Sequence, residues 1–150
     1  MAKEKQVEKP KKNDLHGKIK NFDVLKNEYD LSEENLTVGM VLHKMSETME
    51  FYLKLIQQIL QPEEFHAIYE CVAFSDKEKA ELFDLYKKII IAQREMLKAE
   101  IMNDEKTSLS AIQSAHLEIK SVKPKILGIV DKMQESWKVH TKSSTMQYFG

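Results

Sequence analysis

The apolar positions of the chain recur at steps of three and four. In the stretch after Thr37, Val38, Val41, Leu42, Met45, Met49, Tyr52, Ile56 and Ile59 keep this rhythm, and they predict an amphipathic helix over 38–60. Thr37 is the natural N-cap. Gln61-Pro62-Glu63-Glu64 restarts the chain, because proline suits a first helical turn and early glutamates suit the positive end of a helix dipole. Phe65, Ile68, Tyr69 and Val72 then form one face of a short helix ending near Ala73.

Ser75-x-x-Glu78 matches a capping box and opens a third helix, expected over 76–102. Its apolar arc holds Leu82, Leu85, Tyr86, Ile89, Ile90, Met96 and Leu97. A loop "NDEKTS" follows, with Thr107 or Ser108 as the expected cap of the last helix. In that helix Leu109, Ile112, His116, Ile119, Ile126, Val130, Met133 and Trp137 have near-heptad spacing, broken at Lys123. Pro124 removes one helical hydrogen bond but falls on the polar side, so a bent helix is expected rather than two separate ones.

Upstream, Leu15, Ile19, Phe22, Leu25 and Tyr29 show the same rhythm over a shorter span, interrupted by Gly17. Residues 14–36 therefore read as a short helix and a linker. Residues 1–13 are charged and contain Pro10, with Val7 as their one large apolar residue, and are expected to be a disordered basic tail. Residues 142–150, "KSSTMQYFG" after Thr141, read as a second tail. The fold class expected is all-α: an antiparallel bundle of three long helices plus one short helix over 37–141, with flexible charged tails.

Composition narrows the function. The chain has 150 residues, enough for one core without staples. The apolar fraction of 42% and charged fraction of 31% suit a globular protein with solvated surfaces. Four glycines and three prolines favour long helices over many short strands. Cys71 is the only cysteine, which removes any disulfide framework or cysteine-based zinc site. No leading apolar run resembles a secretory signal, and none approaches the roughly 20 residues of a membrane span. A cytoplasmic setting without membrane association is the expectation.

The net charge of −1 is unevenly spread. Residues 1–20 carry seven lysines against Glu4, Glu8 and Asp14, and 116–150 carry six against Glu118, Asp131 and Glu135. Lys3, Lys5, Lys9, Lys11 and Lys12 would give weak, non-specific contact with nucleic acid through counterion release. Of 23 basic residues only Arg94 is arginine, which argues against firm phosphate clamping or base readout.

Two acidic pairs, Glu47-x-x-Glu50 and Glu81-x-x-Asp84, have the spacing of carboxylates that hold metals in helical enzymes. Together with the stretch "ELFDLY" over 81–86, they faintly resemble the all-helical MazG-type nucleotide pyrophosphatases. That resemblance covers six residues, and it implies magnesium-dependent hydrolysis with the four carboxylates as metal ligands. The helical wheel gives the preferred reading: both pairs point away from the apolar arcs, and Asp84 and Glu50 precede Lys88 and Lys54 by four, as exposed ion pairs do. Glu63-x-x-His66 has di-iron spacing but occurs once where such sites need two copies. His116 reads as a satisfied border histidine and Cys71 as a small apolar filler. No Gly-rich phosphate loop and no nucleophile with a positioned base stands out.

Phe51 and Leu55 lie off the main apolar stripe of their helix, and Tyr148 and Phe149 are apolar residues in a tail. These four are the partner-binding candidates. The expectation is thus a non-enzymatic protein–protein interaction adaptor or regulator, with homodimerisation open to the near-heptad stripes and no cofactor. A nucleic-acid-associated factor using the lysine-rich ends is one alternative, and the metal-dependent pyrophosphatase is the other.

Overall fold

The computed structural model describes residues 15–32 and 35–141, without the side chains of residues 140 and 141. Six helices account for most of them: α1 Leu15–Lys18, α2 Phe22–Glu28, α3 Val38–Leu60, α4 Phe65–Cys71, α5 Asp76–Met102 and α6 Glu105–Thr141. No strand occurs among the described residues, and the protein is an all-α bundle. None of these helices is long and apolar enough to cross a membrane.

Local chemistry sets the helix ends. Thr37 caps α3 by accepting a hydrogen bond from the Met40 amide at 3.2 Å. Ser75 and Glu78 form the full capping box of α5: Ser75 Oγ accepts from the Glu78 amide at 3.2 Å, and the Glu78 carboxylate accepts from the Ser75 amide at 2.7 Å. Neither Thr107 nor Ser108 caps α6. Asp104 does so, its carboxylate accepting from both the amide and the hydroxyl of Thr107, at 2.9 and 2.6 Å. These bonds also hold the Asp104 carboxyl below its ordinary pKa. Asn103, in the left-handed conformation at φ 51°, ends α5, and this shrinks the expected loop to Asn103 and Asp104.

α3, α5 and α6 pack pairwise on one another. His43 lies near Glu100, while Gln57 and Leu60 share a groove with Phe83 and Tyr86, so α3 and α5 run antiparallel. Glu78 pairs with Lys132 and Lys88 with Glu118, which makes α5 and α6 antiparallel as well. Each long helix contributes a three-four seam to the core. In α3 it is Leu42, Met45, Met49, Tyr52, Ile56 and Ile59, widened by Val41 and Leu53; in α5 it includes Leu82, Leu85, Ile89, Met96 and Ala99.

The seam of α6 differs from the sequence expectation. The buried row is Ile112, Ala115, Ile119, Val122, Ile126, Ile129 and Met133. It is unbroken, because Ala115 and Val122 fill the places where the expected row had His116 and Lys123. Leu109, His116, Lys123, Val130 and Trp137 form the neighbouring heptad row, one position round the helix and only partly covered. Pro124 is exposed and α6 runs through it without splitting.

The segment before α3 belongs to the core. Leu15, Ile19, Phe22, Leu25, Tyr29, Leu31 and Leu36 are buried in the same cluster as the long helices. Asn21, at φ 58°, breaks the segment into α1 and α2 where a single helix was one expectation. Tyr29 anchors it: its hydroxyl lies 3.4 Å from Nδ1 of His116, and the Glu28 carboxylate is 3.7 Å from the same nitrogen. His116 is thus a satisfied border histidine. Burial pushes the Tyr29 hydroxyl pKa upward, with the Glu28 and Tyr52 charges adding to it.

Candidate functional site

The two acidic pairs are exposed and occupy different surfaces. Glu47 pairs with His43 at 3.5 Å and Glu50 with Lys54 at 3.5 Å, on the outer side of α3. Glu81 and Asp84 line a groove of about 600 Å³ between α5 and α6, together with Lys88, Lys125 and Lys132. The antiparallel register sets Glu50 opposite Gln93, so Glu81 stands about 18 Å further along α5 at ~1.5 Å per residue. The four carboxylates therefore do not converge. Asp84 is held by Lys87 at 2.7 Å rather than by Lys88, whose partner is Glu118 at 3.3 Å. Among the described residues no three His, Cys, Asp or Glu side chains are grouped to hold a metal ion.

The other candidates are equally dispersed. His66, exposed in the first turn of α4, pairs with the N-cap residue Glu64 at 3.3 Å, and the Glu63-x-x-His66 spacing has no second copy. Cys71 is half-buried against the core and donates its thiol to the Ile68 carbonyl at 3.1 Å. Among the described residues, the Glu78 carboxyl is held down at about 2 by its hydrogen bond from Lys132 and by the Ser75 amide. Both bonds are structural, one joining α5 to α6 and the other closing a cap.

No protein-family model, characterised sequence or solved structure matches this chain.

What the surface does offer is apolar. Three of the four residues that the sequence places on one face of α4 point outward, Phe65 at 80% exposure, Ile68 at 52% and Val72 at 79%, while Tyr69 is half-buried and Ala67 is the buried residue of the helix. Two contacts fix this orientation. Tyr69 stacks on Trp137 with ring centroids 4.1 Å apart, and the Trp137 indole donates to the Glu70 carboxylate at 2.7 Å. Phe74, buried just after α4, ties down its far end. Trp137 and Val139, both partly exposed, extend the apolar surface along the end of α6.

Of the partner-binding candidates, Phe51 is 62% exposed and its ring sits 6.2 Å from that of Tyr52, whereas Leu55 is half-buried against the core. Tyr148 and Phe149 lie outside the described residues, as do Lys3, Lys5, Lys9, Lys11 and Lys12. Sequence reading missed the α4 face because an i, i+3, i+7 apolar row looks the same whether it faces inward or outward.

Proposed function

We propose that this chain is a non-enzymatic interaction protein, an adaptor or regulator whose partner docks on the apolar end of the bundle formed by α4. The observation that carries this reading is the outward row Phe65, Ile68 and Val72 on a helix pinned by Trp137. Large apolar side chains at this exposure are unfavourably hydrated, a cost that a covering partner relieves, and a clustered row marks an interaction surface. Phe51 supplies a further exposed aromatic on α3. A rigid support favours the same use, since the row is presented in one fixed orientation with little ordering cost on binding.

The test is affinity capture from nuclease-treated native lysate with the full chain and with a Phe65→Glu, Val72→Glu variant. The expected result is a specific protein held by the wild type and lost by the variant, with unchanged helical content and melting temperature. Capture that vanishes with nuclease points instead to nucleic acid and the lysine-rich termini. Absence of any protein partner, together with turnover of a small metabolite, overturns the reading.

A further inference from the structure

The exposed row of α4 lies beside the end of α6. Trp137 stacks on Tyr69, which adjoins Phe65, Ile68 and Val72 on its helix, and α6 closes at Thr141. From Trp137 to Thr141 the helix rises only about 6 Å. The chain continues over 142–150 as "KSSTMQYFG". Ser143, Ser144 and Thr145 compete with helix by bonding nearby backbone, and they favour a turn. Met146, Tyr148 and Phe149 follow them as large apolar side chains. The row from Phe65 to Val72 is about 10 Å long, and an extended chain from Lys142 to Tyr148 spans up to roughly 24 Å, so these side chains reach all of it.

Charge favours the same pairing. Residues 61–74 hold Glu63, Glu64 and Glu70 and no lysine or arginine. After Glu135 the sequence holds no Asp or Glu, and Lys142 opens the segment. Glu63 and Glu64 are exposed at the start of α4, where a cation can approach them. Other occupants fit worse. Two copies meeting row to row would set these glutamates against each other. Residues 1–14 lead into α1, which Lys18 ties to Glu105 at the opposite end of α6. They would have to run almost fully extended to cover the roughly 50 Å to Trp137, and they bring little apolar surface beyond Val7.

We infer that residues 142–150 fold back over α4, with Met146, Tyr148 and Phe149 covering Phe65, Ile68 and Val72 until a partner displaces them. The inference rests on the reading of α4 as the docking surface, and it names the occupant with which a partner competes. Attachment through a short connection supplies an effective concentration on the order of millimolar, so a contact of only ~0.1 mM affinity is closed about ten to one. Such a cover shields the row in the free protein and still yields to a partner. It weakens that partner's apparent affinity about tenfold, because only the open fraction binds.

The experiment compares the purified full chain with its Tyr148→Ser, Phe149→Ser variant. The readouts are amide hydrogen exchange and acrylamide quenching of Trp137, the only tryptophan of the sequence. Exchange over 65–72 should be about tenfold slower in the wild type, matching the closed-to-open ratio, and equal in both forms over 82–99. Trp137 should be quenched less in the wild type. In the full chain carrying Phe65→Glu and Val72→Glu, the amides of 146–149 should lose the protection they have in the wild type, with helical content unchanged. Equal exchange over 65–72 and equal quenching in wild type and tail variant overturn the inference. So does protection that rises with chain concentration, which assigns the cover to a second copy. The two readings fail separately. A row protected by the segment, with no protein captured from lysate by either form, upholds the cover and removes the partner. A protein captured equally by both forms, with the row unprotected, upholds the partner and removes the cover.

Discussion

Tyr69 lies flat against Trp137, with ring centroids 4.1 Å apart and planes 23° from parallel. This stack, with the hydrogen bond from the Trp137 indole to the Glu70 carboxylate, joins a seven-residue helix to the end of the longest one. α4 buries only Ala67 among its own residues, so it has little core of its own. Trp137→Ala should therefore release α4 without unfolding the bundle. The expected cost is about 1–2 kcal/mol, the scale of a lost aromatic pair and its area. Amide hydrogen exchange should accelerate over 65–71 and remain slow over 82–99. Equal acceleration in both would show that α4 is not an independent unit.

The start of the domain can be tested by truncation. Removing residues 1–14 should leave stability unchanged. Removing 1–36 takes away Leu15, Ile19, Phe22, Leu25, Tyr29, Leu31 and Leu36, all buried in the main core. At about 1.5–3 kcal/mol per buried side chain the loss is on the order of the whole stability of a small domain. Chemical denaturation should show the shorter protein largely unfolded in water. A cooperative transition near the wild-type midpoint would mean that α1 and α2 contribute little.

That contrast shows where sequence reading succeeds. The bounds of α3 and α5 were legible because long periodic runs coincide with strong caps at Thr37 and Ser75. The α6 seam was harder to read. Its register depends on Ala115, a residue too small to signal burial, while His116, Val130 and Trp137 are conspicuous but sit one row away. The orientation of α4 was not legible at all, because a partner on another helix, Trp137, decides it. For the candidate site, the outward direction of the acidic pairs followed from the helical wheel, but their separation along α5 needed the antiparallel register.

Acid should probe the α5–α6 join. Glu78 is held down at about 2, from an ordinary 4.5, first by Lys132 and then by the Ser75 amide. A depressed carboxyl stabilises the fold above its unfolded pKa, and that contribution is lost as pH falls through the folded value. Stability should therefore drop between about pH 4.5 and 2. Glu78→Gln should flatten the drop in that window. Tyr29 acts in the opposite sense. Its raised pKa gives a contribution complete below the unfolded value of 10.0 and lost as pH climbs beyond it. Urea midpoints measured across both windows check the two signs, and an unchanged acid limb in Glu78→Gln would remove Glu78 from the account.

Pro124 offers a gain rather than a loss. It sits inside α6, on the outermost row, exposed and opposite the seam between Val122 and Ile126. Its ring has no N–H to offer the Lys120 carbonyl, so one rung of the helix is missing on the solvent side. Nothing packed depends on the ring. Pro124→Ala should restore the rung, remove the clash with the preceding turn and stabilise the protein by about 1–3 kcal/mol. Thermal unfolding should shift upward, with slower exchange at residues 120–128. A neutral or destabilising result would mean that a bend at Pro124 is needed to keep Ile112–Ile119 and Ile126–Met133 on one seam. The proline would then be setting the path of α6 across the bundle.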